Sequence, residues 1–294
     1  MVSHMKMKPA NALDVSIIDP FFKGWAKPGP VPPGALSNSI EIEAGETLDA
    51  ISGHFRIFQL RKGHRFSTDD VLTAWYGSSW CPCARTALDL GSGIGSVGMI
   101  AAWRLPAARF VTVEAQEESV RLARKSAHYN GLSERYEIRH GDFRAPGLIQ
   151  AEEEFDLILG SPPYFPAGSG LEGDHPQKVA CRFELRGNIT DYCQSAAAHL
   201  SPGGLFACVF PAEQLMRIET AARDAGLTIV RRRPVVFREP EAPLIDLFAM
   251  VKAEHLPPSL RKETWVEPVL IIRTTNGQVH SEYSAVKLAI GFPP

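Results

Sequence analysis

From Thr86 onward, short apolar runs alternate with amphipathic stretches, the pattern of a sheet with helices packed on both faces. Strands are expected at Thr86–Leu90, Arg109–Glu114, Tyr136–His140, Asp156–Gly160 and Leu205–Phe210. Helices fill most of the gaps, at Gly95–Arg104, Glu117–Asn130, Ile189–Leu200 and Ala212–Ala225, with Asn130-Gly131, Pro202-Gly203 and Gly226 as stop signals. Ile229–Phe237 and Leu244–Lys252 read as a closing antiparallel pair, and Glu267–Arg273 as one more edge strand. The fold class is α/β with a mostly parallel sheet.

Upstream the pattern changes. Trp25–Gly34 is too rich in Pro and Gly for a helix or inner strand, so residues 1–39 are expected to form a flexible arm. Glu46–Ile51 and His54–Leu60 around Ser52-Gly53 read as a hairpin, and Ser67 caps a helix that should end near Gly77. The expected organisation is the arm at 1–39, hairpin and helix at 40–78, the α/β core at 79–253, and a C-terminal strand and tail at 254–294.

Composition narrows the class. With 45% hydrophobic and 22% charged residues, the 294-residue chain is neither disordered throughout nor fibrous. Its net charge of -2 does not by itself advertise nucleic-acid binding, so any basic surface must be local. Arg61, Lys62, His64 and Arg65 form one basic cluster, and Arg231, Arg232, Arg233 and Arg238 another. Five cysteines, an odd number, fit a reducing compartment, and no ligand set matches Cys81-x-Cys83, so no metal site is expected. No run approaches the roughly 18 apolar residues of a membrane span, and the N-terminus lacks a secretory core, giving a cytoplasmic expectation with no membrane partner.

The chemistry concentrates in two loops. Asp89-Leu-Gly91-Ser-Gly93-Ile-Gly95 follows the first core strand and opens a helix, so its glycines allow a tight turn and close backbone approach to a polar ligand. The shifted run Gly93-Ile-Gly95-Ser-Val-Gly98 also satisfies the dinucleotide fingerprint, and Glu114 ends the next strand where either cofactor class needs a ribose-binding acid. At this loop a nicotinamide cofactor and another adenosine-bearing cofactor both remain open. Downstream, Gly141-Asp142-Phe143 follows the third strand and Ser161-Pro162-Pro163-Tyr164-Phe165 the fourth. Here the chain resembles class I S-adenosylmethionine-dependent methyltransferases over roughly Gly63–Lys252. The resemblance implies a Rossmann-like fold with a mostly parallel seven-stranded sheet. It implies S-adenosyl-L-methionine held by Asp89, Gly91, Gly93, Gly95, Glu114, Asp142 and Phe143, with Thr68 and Asp69 from the segment before the core. A nicotinamide reading leaves the Pro-Pro turn unexplained and finds no hydride-transfer acid.

A Pro-Pro pair fixes two φ angles and removes two N–H donors, leaving rigid carbonyls beside an aromatic face, a clamp for a planar amino group. By the resemblance, Ser161, Pro162, Pro163 and Tyr164 are catalytic, with the Pro162 carbonyl and the residue-161 side chain accepting the substrate amine and Tyr164 stacking on a base. The segment Gly63–Trp75 and the stretch Ala180-Cys-Arg182-Phe-Glu184 resemble bacterial tRNA adenine-N6 methyltransferases acting next to the anticodon of a valine tRNA. That resemblance implies an RNA partner, a monomer or homodimer, and substrate contacts from Arg61, Lys62, Arg65, Phe165, Arg182 and Glu184. Ser161 stands where those enzymes usually have Asn or Asp, and a hydroxyl is shorter and can also donate. A protein glutamine amide, cytosine N4, or a non-catalytic RNA-binding role on the same fold therefore stand as alternatives.

Overall fold

The computed structural model describes residues 19–22, 24–37, 41–166, 177 and 183–294. The arm call for 1–39 falls partly on residues outside these. Of the arm, β1 (Phe21–Phe22) and β2 (Trp25–Ala26) pair, and the turn at Pro33–Ala35 lies on the core, with Gly34 set so close to Tyr129 that no side chain would fit.

The expected hairpin is present as β3 (Glu46–Ser52) and β4 (Phe55–Leu60), turning at Gly53 with φ 49°. Helix α1 (Thr68–Trp80) starts in a capping box, the Ser67 N–H donating to Asp70 Oδ2 at 3.0 Å. It runs past Gly77, which is not a stop. That glycine is buried against Leu159 and Ala207, so its missing side chain serves close helix–sheet packing.

The core strands are β5 (Thr86–Leu90), β6 (Arg109–Glu114), β7 (Tyr136–His140), β8 (Phe155–Gly160), β9 (Leu200–Pro211), β10 (Leu227–Val236) and β11 (Ile245–Lys252). Two short strands, β12 (Trp265–Val266) and β13 (Leu270–Ile271), lie alongside β10. The sheet order is β12-β10-β11-β9-β8-β5-β6-β7, with β11 antiparallel to both neighbours and the other pairings parallel. The seven long strands are extended at one edge by two-residue strands, β13 within the expected edge strand Glu267–Arg273 and β12 just before it.

Period-two alternation splits the core into two layers. Ala87, Leu157, Leu159, Ala207, Val209 and Leu247 face one layer, under the hairpin and helices α1, α2 (Ser96–Arg104) and α3 (Glu117–Tyr129). Leu88, Ile158, Phe206, Cys208 and Phe248 face the other, under α4 (Ile189–His199) and α5 (Leu215–Asp224). The hairpin is tied to α3 by Phe58 N–H to Ser126 Oγ at 2.9 Å, and the buried Glu46 is gripped by Arg121 and Lys125, each at 2.7 Å. The C-terminal region includes a further helix, α6 (Ser281–Ala289), which buries Val286 against the first layer; short and weakly patterned, it is not apparent in the sequence. No described helix is long and apolar enough to cross a membrane.

The chain winds outward from β5 to β6 and β7 on one side and from β8 to β9 on the other. Adjacent parallel strands β5 and β8 therefore mark the switch point, and a crevice opens beyond their carboxyl ends.

Candidate active site

A cleft of about 300 Å³ occupies that crevice, built by the loops after β5, β6, β7 and β8 together with the start of α1. On the glycine-loop side, Gly91 and Gly93 have φ of 61° and 55°, conformations that side chains resist. Open space lies over Gly93, and the Ser92 hydroxyl is buried with no hydrogen-bond partner among the described residues. Buried Asp89 accepts from the Gly98 N–H at 2.9 Å at the start of α2. Glu114 accepts from the N–H groups of Gly93 at 2.8 Å and Gln116 at 2.6 Å. These main-chain bonds fold the loop back onto the end of β6.

The floor is acidic. Burial raises the pKa of Asp89 well above the carboxylate norm, and the charges of Asp70 and Glu114 raise it further. Asp70 and Glu114 are also raised by burial, eased in Asp70 by His64, the Ser67 N–H and Ser96, and in Glu114 by backbone N–H bonds and Arg186. Such a surface is complementary to a cationic ligand. Asp142 differs: its carboxylate is held bidentately by Arg144, at 2.6 and 2.9 Å, which lowers its pKa.

On the opposite side Ser161, Pro162, Pro163, Tyr164 and Phe165 form the turn leaving β8. Tyr164 Oη donates to Asp69 Oδ2 at 2.6 Å, and its ring meets Phe210 edge-to-face at 6.1 Å. Burial raises the pKa of Asp69, a rise that this hydrogen bond opposes, and burial pushes the Tyr164 hydroxyl well up. The turn thus presents a neutral, fixed face next to an acidic floor.

Of the residues singled out from sequence, Asp69, Asp89, Gly91, Gly93, Glu114, Asp142, Phe143 and Ser161 to Phe165 converge on the cleft. Thr68 does not line it; its side chain bonds Tyr283. Gly95 caps α2 at φ 87°, between Met99, Ala123 and Tyr136. Glu184 turns its carboxylate to Arg217 at 2.5 Å, and Arg65 turns to Asp49 at 3.0 Å. Arg61 and Lys62 are exposed and do not line the cleft; His64, which follows them in the same loop, does. Arg182 lies outside the described residues. Most of the second basic cluster is consumed by the fold: Arg231 lies between the rings of Trp80 and Trp265, 3.4 and 4.2 Å from their centres, Arg232 pairs with buried Asp246 at 2.7 Å, and Arg233 lies near Glu267, while Arg238 is exposed.

Sequence reading missed Ser92, Ser96, Gln116, Tyr192 and Arg186, which also line the cleft. It also missed Gln177, which accepts the His64 N–H at 2.8 Å and donates to Ser119 Oγ at 3.0 Å. Ser92 and Ser96 could have been found as polar positions inside the glycine loop. The others reach the site only through tertiary folding.

The methyltransferase small domain family matches residues 79–219. A tRNA1(Val) (adenine(37)-N6)-methyltransferase of Porphyromonas gingivalis is 30% identical over 189 residues, 61% of this chain and 73% of its own length. A release factor glutamine methyltransferase of Caulobacter vibrioides is 31% identical over 163 residues, 50% of this chain and 53% of its own. Among solved structures, a predicted O-methyltransferase from Agrobacterium tumefaciens matches with a TM-score of 0.57 at 17% identity, covering 76% of this chain and 98% of that one. At that identity the likeness concerns the fold.

Proposed function

This chain belongs to the class I S-adenosylmethionine-dependent methyltransferase family that includes the enzymes named tRNA1(Val) (adenine(37)-N6)-methyltransferase, and from that premise we propose that it methylates the exocyclic N6 of an adenine in a tRNA. The observation that carries the reading is the Ser161–Tyr164 turn at the carboxyl end of β8, facing the acid-lined glycine loop across one cleft. The donor set fits the cofactor: the Ser92 hydroxyl, without a partner among the described residues, and the space over Gly93 leave room for a polar ligand, and Asp70, Asp89 and Glu114 suit a cationic one. Gly91, Gly93 and Asp89 would hold its amino-acid end, Glu114 the ribose, and Asp142 with Phe143 the base. When bound, it supplies an electrophilic methyl on a sulfonium.

The chain's own residues then orient the acceptor. The Pro162 carbonyl and Ser161 Oγ would accept the two amine N–H bonds, aiming the nitrogen lone pair inward, and Pro-Pro rigidity holds that aim without a strong base. Tyr164, expected from sequence to stack on the base, is instead tied to Asp69 and packed edge-to-face on Phe210, so Phe165, 39% exposed beside it, would offer the face to a base flipped out of its stack. Arg61, Lys62 and exposed Arg186 would supply the local positive charge that RNA requires.

A second reading, transfer to a protein glutamine amide, is favoured by the Caulobacter relative, because an amide presents the same planar NH2 to the same turn. Radiolabelled methyl transfer to unmodified tRNA and to a Gln-containing peptide, followed by nucleoside and amino-acid analysis, separates them. Label in N6-methyladenosine, lost by about a hundredfold or more in Pro162→Ala, is the expected result. Label in peptide alone moves the acceptor to glutamine, and cofactor binding with no label in either leaves a non-catalytic protein.

A further inference from the structure

The Pro162-Pro163 pair stiffens the upstream half of the turn but offers no N–H by which to anchor it. Downstream, two carbonyls do the anchoring. Gln214 Nε2 donates to the Tyr164 carbonyl at 3.0 Å, and the Glu184 N–H donates to the Phe165 carbonyl at 2.8 Å. Both anchors meet at one side chain at the start of α5: Arg217 Nη1 donates to Gln214 Oε1 and Nη2 to Glu184 Oε1, each at 2.5 Å. The same guanidinium lies 5.7 Å from the centre of the Phe210 ring, against which Tyr164 packs. Three routes therefore run from Arg217 to the turn, none of them through the cleft. The planar fork aims two separate N–H groups at the two acceptors in a fixed geometry, which a single ammonium nitrogen does not reproduce.

We propose that Arg217, acting through Gln214 and Glu184, is a positioning residue that sets the Ser161–Tyr164 turn for methyl transfer. The proposal rests on that turn being the catalytic one, whichever planar amine it accepts. Misplacing an acceptor carbonyl by an ångström costs rate rather than binding, because the cofactor pocket lies across the cleft.

Steady-state transfer by the whole chain, with cofactor affinity measured by calorimetry and folding by thermal melting, tests it in Arg217→Ala, Arg217→Lys and Gln214→Ala. In Arg217→Ala, kcat should fall about tenfold to a hundredfold while cofactor Kd and acceptor KM stay within about twofold. Arg217→Lys, which keeps the charge near Phe210 but loses the fixed fork, should fall between Arg217→Ala and the wild type, and it carries the same readout if Arg217→Ala fails to fold. A lower Tm with kcat per cofactor-binding site unchanged overturns the proposal. If wild type labels a glutamine peptide and not tRNA, the N6 reading fails, and the same kcat comparison on the peptide still decides this one. If wild type binds cofactor and labels neither acceptor, the turn is not catalytic and both fail.

Discussion

The two sides of the cleft are held by different kinds of bond. On the glycine-loop side, Asp89 and Glu114 are gripped by main-chain N–H groups of Gly98, Gly93 and Gln116, all within a short stretch of chain. On the Pro-Pro side, Tyr164 and Phe165 are held by Asp69 from α1, Gln214 from before α5, and the main chain of Glu184. Main-chain donors survive substitution of neighbouring residues; side-chain anchors do not. The glycine-loop side should therefore fail where the backbone is blocked or where Asp89 or Glu114 itself is lost, and the Pro-Pro side also where an anchor from a distant element is cut.

The largest effect expected from that contrast lies at Gly91. Its φ of 61° disfavours any side chain, and a Cβ there would overlap the Tyr192 hydroxyl, whose ring packs on Phe143 at 4.8 Å. Gly91→Ala should weaken S-adenosylmethionine binding by about tenfold to a hundredfold, measured by calorimetry. Tight binding by this variant would mean that the loop geometry is not what holds the cofactor.

The acceptor side makes a smaller, pH-dependent prediction. Burial raises the folded-state pKa of Asp69 above its unfolded value, so the folded chain binds the extra proton. That contribution to stability is complete below the unfolded value and is lost as pH rises through the folded one. Asp69→Asn cannot ionise, and its amide oxygen still accepts from Tyr164. Above about pH 4 the variant should become progressively more stable than wild type, by about 2–4 °C in Tm at neutral pH. Asp70, Asp89 and Glu114, raised in the same direction, keep part of the wild-type slope. A Tm difference that does not change between pH 4 and 8 would place no ionisation cost on Asp69.

The same contrast decides what could be read in the sequence. Strand, glycine loop and acid recur at fixed spacing because the bonds that join them are local, so Asp89, Gly91, Gly93, Glu114 and Asp142 were legible, as were the seven long strands. Glu184 was read toward substrate because nothing in the chain shows Arg217, on α5, taking its carboxylate. The Arg231–Arg233 run looked like a basic surface, but strand alternation sends its side chains to opposite faces, toward the tryptophans and Glu267 on one and Asp246 on the other. Gln177 and Arg186 carried no pattern at all.

Arg65 gives the smallest expected effect. It sits in the loop that leads to His64, so on charge alone its removal should weaken RNA binding along with that of Arg61 and Lys62. Its guanidinium, however, is paired with Asp49 at 3.0 Å and also donates to Thr47 Oγ1 at 3.0 Å, directed at the hairpin and away from the cleft. Both partners are partly exposed, and such pairs contribute about 0–1 kcal/mol. Arg65→Ala should therefore leave Tm within about 2 °C of wild type. Its KM for tRNA should rise less than in Lys62→Ala, whose side chain is exposed. The two variants compared at low and moderate salt read the difference directly, since a free phosphate contact steepens the salt dependence and an intramolecular pair does not. A steeper loss at Arg65 would mean that RNA draws it off Asp49, so that the hairpin joins the acceptor side in binding substrate.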